Sequence, residues 1–160
     1  MGKTEEKTNV MRLLDAACVE YKSRYFETDG SLSGVDAAKA MGEDPEHVFK
    51  TLVTVAKSGK NYVFVVPVEC ELDLKKAARA SGEKFIEMIK SKDLLPLTGY
   101  IHGGCSPIGM KKLFPTFVDE TAMLYDSILF SAGKIGCQVE INPADLEKLI
   151  PFEYFDLTKA

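Results

Sequence analysis

Tryptophan is absent from the chain, and histidine occurs only twice, at His47 and His102. With so few imidazoles there is almost nothing from which to build a His-rich metal centre or a multi-histidine proton relay. The four cysteines, Cys18, Cys70, Cys105 and Cys137, lie far apart and form no C-x-x-C pair. That spacing argues against structural zinc and a disulfide framework, and for a reduced chain in the cytoplasm that needs neither metal nor cofactor. No apolar run approaches the ~18 residues of a membrane-spanning helix. The opening stretch from Met1 to Lys7 is polar and charged, unlike a signal peptide, so no membrane partner is expected. Basic excess is missing as well: 20 Lys and Arg stand against 24 Asp and Glu, a net charge of −4. Any nucleic-acid contact must therefore rest on small local clusters and be salt-sensitive.

What the chain has in quantity is length for one core. A chain of 160 residues can bury roughly two-thirds or more of its unfolded surface, and the expectation is a single domain over 1–160 with its core within 8–150. The most distinctive stretch is Gly99 to Lys112, Gly-Tyr-Ile-His-Gly-Gly-Cys-Ser-Pro-Ile-Gly-Met-Lys-Lys. Adjacent Gly103 and Gly104 permit positive φ and close ligand approach, successive N–H groups can converge on an anion or carbonyl oxygen, and Pro107 stiffens the bend. Two catalytic motifs nearly fit and fail. Gly104-x4-Gly109 is followed by Met110 and Lys111, so a phosphate-binding P-loop lacks its lysine register and its magnesium-binding hydroxyl. Ser106 has Ile at position 108, where a nucleophile elbow needs Gly, and Pro107 has no N–H for an oxyanion hole. A tight connection between core strands accounts for this loop as well as a substrate cradle does.

Along the chain, Thr8 caps an apolar-faced helix reaching to near Tyr21, and Ser23–Thr28 reads as a strand carrying Tyr25, a core or rim aromatic. Ser33 opens a helix over Gly34–Met41 that Gly42 closes. Asp44 and Pro45 start a short helix that puts His47 on the surface and gives way to a strand over Thr51–Ala56. Lys50 falls at that junction, where sheet ends form clefts, and reads either as a solvated lysine or as a cation for an anionic or ester group. Tyr62–Val68 reads as a strand buried on both faces and, with its neighbour, central. Asp73 caps a helix through Ala80, with Gly82 behind it; it presents Lys75, Lys76 and Arg79, which with Lys84 form a patch that is either solvated or meets a few phosphates. Phe85–Ile89 is a strand, Ser91 caps a helical turn over Lys92–Leu97, and Lys111-Lys112 is a second cationic spot. Strands over Phe117–Glu120, Ile128–Ser131 and Cys137–Ile141 follow, the last two as a hairpin, then a helix opened by Asn142-Pro143. The tail from Pro151 reads as an extension. About seven strands with peripheral helices indicate an α/β, mixed α+β, fold.

Val48-Phe49-Lys50-Thr51-Leu52, Glu71-Leu72-Asp73-Leu74-Lys75-Lys76, the loop Gly99–Gly109 with Lys111-Lys112, and Ser131-Ala132-Gly133-Lys134 ahead of Val139-Glu140-Ile141 together resemble the YbaK/EbsC family of aminoacyl-tRNA deacylases. The resemblance covers about Thr8 to Ile150. That family is related to the editing domain inserted in bacterial prolyl-tRNA synthetases, and its freestanding members hydrolyse mischarged tRNA, typically cysteinyl- or alanyl-tRNA(Pro). The resemblance implies a curved, barrel-like mixed sheet wrapped by helices, and a trans-editing hydrolase. It places the family's essential lysine on Lys50, the substrate loop on Gly103–Gly109 with Gly104 and Ser106, a second rim on Ser131–Gly133, and pocket positions on Thr51, Tyr25 and Gln138. It also implies the tRNA acceptor end as partner, with Lys75, Lys76, Arg79, Lys111 and Lys112 as candidate contacts, and prolyl-tRNA synthetase as a second partner. Some cysteinyl-type members carry aspartate where this chain has Gln138, and glutamine cannot supply the negative charge that would hold an α-ammonium. Cys105 tempts as a nucleophile, but with only His102 nearby as a conceivable base the stronger reading is a small packing residue between Gly104 and Ser106. The competing readings are an alanyl-tRNA deacylase and a non-catalytic module that binds the acceptor end or a synthetase.

Overall fold

The computed structural model describes residues 7–159. Three of the four α-helices start at a side-chain cap. In α1 (Asn9–Ala16), the Thr8 hydroxyl accepts from Met11 N–H, and Val10, Met11 and Leu14 turn one buried face to the core. In α2 (Gly34–Ala40), the Ser33 hydroxyl accepts from Asp36 N–H. In α3 (Leu74–Ser81), Asp73 accepts from the N–H groups of Lys75 and Lys76, and Gly82 ends the helix in the left-handed region at φ 75°. Helix α4 (Ser91–Thr98) departs from expectation. Lys90, not Ser91, occupies the cap position without a side-chain bond, and Pro96 lies inside, where it removes one rung of the ladder. Short 3₁₀ turns over Pro45–His47, Glu120–Leu124 and Pro143–Lys148 complete the helical part. His47 is half-buried, with its ring 4.1 Å from that of Tyr125 between centroids, not simply exposed.

All seven expected strands are present: β1 (Lys22–Tyr25), β2 (Phe49–Ala56), β3 (Asn61–Pro67), β4 (Ile86–Met88), β5 (Thr116–Asp119), β6 (Ile128–Lys134) and β7 (Cys137–Ile141). An eighth, β8 (Glu153–Phe155), lies in the stretch read as a tail. It pairs in parallel with β5, Asp119 Oδ1 accepts from Leu157 N–H at 2.9 Å, and Leu157 is fully buried. The core therefore reaches past residue 150. Three residues of strand carry too little periodicity to be read without their partner.

The strands form two sheets, a three-stranded β1-β7-β6 and a five-stranded β4-β2-β3-β5-β8. Among the described residues they do not close into a barrel. β2 and β3 are central in the larger sheet, and Val63, Phe64, Val65 and Val66 are fully buried, as residues covered on both faces must be. One core cluster joins α1 to the smaller sheet and to Phe49, Val65 and Val118. A second lies under α3, around Phe64, Phe117 and Ile86. A third, small cluster holds α2 through Ala38, Val48, Val68 and Leu129. No helix among the described residues is long and apolar enough to cross a membrane.

Candidate active site

The two sheets touch at an isolated parallel bridge between Val48 and Leu129. Lys50 of β2 and Ser131 of β6 each lie two residues past this bridge. Both line a cleft of about 730 Å³, together with Thr51 of β2, Gln138 of β7, and His102, Gly103 and Cys105 of the glycine-rich loop. A cleft lined by several elements, with a few polar groups among apolar ones, is a common place for a ligand.

Lys50 is partly buried, and its ammonium donates to the Val68 carbonyl over 3.4 Å, longer than an ordinary N–H···O bond. Burial pulls its pKa below the usual lysine value, against the opposing pull of Cys70 and then Glu71. Two residues that line the same cleft carry a buried polar atom without a partner, Thr51 Oγ1 and Gln138 Oε1. Orphaned buried groups are rare because each costs about 1–3 kcal/mol, which makes these two candidate polar contacts for a ligand. One can donate through its hydroxyl and the other accepts.

The glycine loop and the β6–β7 hairpin are pressed together. A Cβ on Gly104 would come within 3.1 Å of Lys134 Cα and 3.2 Å of Ile135 N, so any larger residue would push the two backbones apart by a few tenths of an ångström. Gly104 N–H donates to Ile101 O at 2.9 Å and is thereby committed. Gly103, at φ 88°, lines the cleft instead. Ser131 Oγ accepts from Gly133 N–H at 3.1 Å, next to an irregularity of register between Ser131 and Lys134. Bulges of this kind re-aim side chains beside functional sites. The Cys105 thiol is pushed up to about 12 by burial, partly offset by a hydrogen bond with Thr98, so it is a protonated packing group at neutral pH. Among the described residues no group of three or more His, Cys, Asp and Glu is arranged to hold a metal ion.

Residues 31–149 match the model of the aminoacyl-tRNA editing domain. The chain belongs to that family. The matched region contains every cleft residue named above. The editing domain is 46% identical over 157 residues to EbsC of Enterococcus faecalis, described as a candidate Cys-tRNA(Pro)/Cys-tRNA(Cys) deacylase, covering 98% of this chain and 96% of that protein. It is also 28% identical over 109 residues to a proline–tRNA ligase of Shouchella clausii, a match spanning 68% of this chain and 19% of the ligase. Its fold is shared with the crystal structure of a candidate trans-editing enzyme for prolyl-tRNA synthetase, at TM-score 0.80 and 23% identity, covering 97% of this chain and 100% of that one.

Several expected site residues of the editing domain lie elsewhere. Tyr25 pairs with Cys137 across β1 and β7 and does not line the cleft, whereas its neighbour Phe26 does. Ser106 is fully buried and its hydroxyl accepts from Ile108 N–H at 3.3 Å, which makes it a turn-former. Gly133 faces the ring of Tyr100 and Val10, serving packing. The expected basic contacts are likewise outside the cleft. Lys76 donates to Asp156 Oδ1 at 3.0 Å and to the Thr158 carbonyl at 2.7 Å, clasping the C-terminal segment. The Lys111 stem packs against Gly99, and Lys112 borders a separate cavity of about 190 Å³ with Leu113 and Leu149. Missed from the sequence were Ile135, Leu94 and the wall formed by Gly30 to Gly34. The last left a signal: a Cβ on Gly34 would stand 2.8 Å from Val68 Cβ, and glycine at a first helical position is otherwise unexpected.

Proposed function

We propose that this editing domain hydrolyses the ester of mischarged aminoacyl-tRNA, with cysteinyl-tRNA(Pro) as its foremost substrate, acting in trans on the acceptor end alongside prolyl-tRNA synthetase. The observation that carries the reading is the pairing of the orphaned Thr51 Oγ1 and Gln138 Oε1 in one cleft with the partly buried Lys50. An aminoacyl ester presents the complementary groups, an α-ammonium that donates and carbonyl and ribose oxygens that accept. Gln138 Oε1 takes the ammonium, Thr51 Oγ–H a substrate oxygen. Lys50, whose charge burial disfavours, is stabilised by a phosphate or by the oxyanion that develops at the carbonyl. Gly103 N–H is the backbone donor to that oxyanion beside Lys50, since Gly104 N–H is already engaged with Ile101 O.

The ester is activated by its nature, so orientation and charge stabilisation account for catalysis without a protein nucleophile. In a cysteinyl substrate the thiol sulfur bonds to the ester carbonyl carbon, its proton passes to the departing ribose oxygen as the C–O bond breaks, and water opens the resulting thiolactone to free cysteine. An alanyl ester has no such thiol and requires a water held beside Gly103.

Side-by-side deacylation of cysteinyl- and alanyl-tRNA(Pro) by the wild type and Lys50→Ala tests this reading. Cysteinyl turnover that the substitution lowers about 10²–10³-fold supports it. Faster alanyl turnover moves the substrate to alanine, and no turnover of either by the wild type replaces the enzyme with an acceptor-end or synthetase-binding module.

A further inference from the structure

Ile135, at the tip of the β6–β7 hairpin, sits where three turns meet. A Cβ placed on Gly30 would touch its Cδ1 at 3.5 Å, and one on Gly103 would touch its Cγ1 at 3.5 Å and Cδ1 at 3.8 Å. Gly30, Gly103 and Gly136 all have positive φ, at 96°, 88° and 84°, so each turn is shaped by a residue that puts no side chain toward Ile135. The backbone at the tip is held on two sides: Gly104 packs so close that a Cβ on it would stand 3.1–3.2 Å from backbone atoms of Lys134 and Ile135, and Gly136 O accepts from Phe26 N–H at 3.1 Å. The Ile135 side chain borders the cleft along with Gln138, three residues on in the same hairpin, and Ser131, the strand partner of Gln138.

We infer that Ile135 is a specificity-determining residue: its side chain closes the gap between the turn at Gly30 and the loop at Gly103, and so limits the size of the aminoacyl side chain the cleft accepts. The inference rests on the deacylase reading for the identity of the ligand. In an aminoacyl ester the side chain branches from the carbon that carries the ammonium, so it must lie close to whatever holds that ammonium. Gln138 offers the acceptor, and Ile135 is the apolar group of the same hairpin that borders the cleft. Because the flanking positions are glycines, trimming Ile135 leaves space that no neighbouring side chain is present to fill, and a larger substrate group can enter it. Discrimination by an apolar wall is modest, roughly 10–200-fold per methylene, which matches a filter against bulk and not an absolute bar.

The test compares wild type, Ile135→Val and Ile135→Ala in deacylation of alanyl-, cysteinyl-, valyl- and leucyl-tRNA. In parallel, calorimetry measures binding of amide-linked, non-hydrolysable alanyl-, valyl- and leucyl-adenosine. Ile135→Ala is expected to raise the leucyl-to-alanyl ratio by about 10-fold or more in both readouts, and Ile135→Val to raise the valyl-to-alanyl ratio by a smaller factor while melting like the wild type. Unchanged rankings in Ile135→Val and Ile135→Ala overturn the inference, as does failure of every protein to bind any analogue. If the wild type hydrolyses none of the esters, the deacylase reading fails, and the analogue ranking alone decides the role of Ile135.

Discussion

Replacing Lys50 by methionine should make the protein more stable while destroying its activity. The substitution keeps an unbranched stem of similar length and removes the ammonium. What is lost is one bond to the Val68 carbonyl, at 3.4 Å near the outer limit of geometry and worth at most about 1 kcal/mol. What is gained is relief from burying a charge that the folded state disfavours, as the lowered pKa of Lys50 records, together with an apolar group against the cleft wall. Lys50 is only half-buried, so solvent screening discounts the charge relief; the second effect should still win, by at most about 1 kcal/mol, and raise Tm by no more than about 2–4 °C for a domain of this size. The pH dependence gives an independent sign. A lysine whose folded pKa lies below its unfolded value near 10.5 penalises the fold fully below the folded pKa, and the penalty fades as pH rises through that value toward the unfolded one. The gap between variant and wild type should therefore be widest near neutrality and narrow toward pH 10.5. Differential scanning calorimetry at pH 7 and pH 10, with cysteinyl-tRNA deacylation at pH 7, reads both. A variant less stable than wild type at pH 7, or one that retains turnover, refutes the placement of Lys50 as a strained cation held for substrate.

Cys105→Ala should leave deacylation unchanged, because a thiol pushed up to about 12 is thiolate in only about one molecule in 10⁵ at pH 7; loss of turnover in a variant that melts normally would restore a covalent route. Asp119→Ala should destabilise the protein by about 2–4 kcal/mol in urea melts. Its carboxylate accepts from Leu157 N–H, Thr121 N–H and Thr121 Oγ–H at 2.9, 3.2 and 2.6 Å, and its loss frees the segment carrying β8. Asp119→Asn keeps an acceptor for Leu157 and should lose less; equal losses in the two variants would mean that the anchor of that segment lies elsewhere.

The helix starts were legible from the chain because a cap is a local contract. Thr8, Ser33, Asp44, Asp73 and Asn142 each accept from an N–H two or three residues ahead, and no distant part of the molecule is needed to decide that. Seven strands were legible for a similar reason, their β-branched and alternating runs being bounded by glycine and polar turns. The presence of β8 was not, since Glu153–Phe155 is a strand only by virtue of β5 beside it and Asp119 beneath its exit. The glycine-rich loop was recognisable as special, but its glycines do different jobs that only their neighbours assign. Gly103 borders the cleft, while Gly104 packs on the backbone at Lys134 and Gly109 on the hydroxyl of Tyr100.

Residue types and spacing by themselves determined that this chain makes a mixed fold of short capped helices and strands. They also marked the glycine loop as distinctive and left Lys50 open between a solvated and a cleft lysine, while the family resemblance added the Ser131–Gln138 hairpin. Only the tertiary structure decided that the two sheets meet at Val48 and Leu129, that Thr51 Oγ1 and Gln138 Oε1 end as buried atoms without partners, and that Lys76 clasps the C-terminal segment. Capping and strand patterning act within a few residues, whereas a cleft and its unpaired groups arise from surfaces far apart in the chain, whose meeting is set by packing.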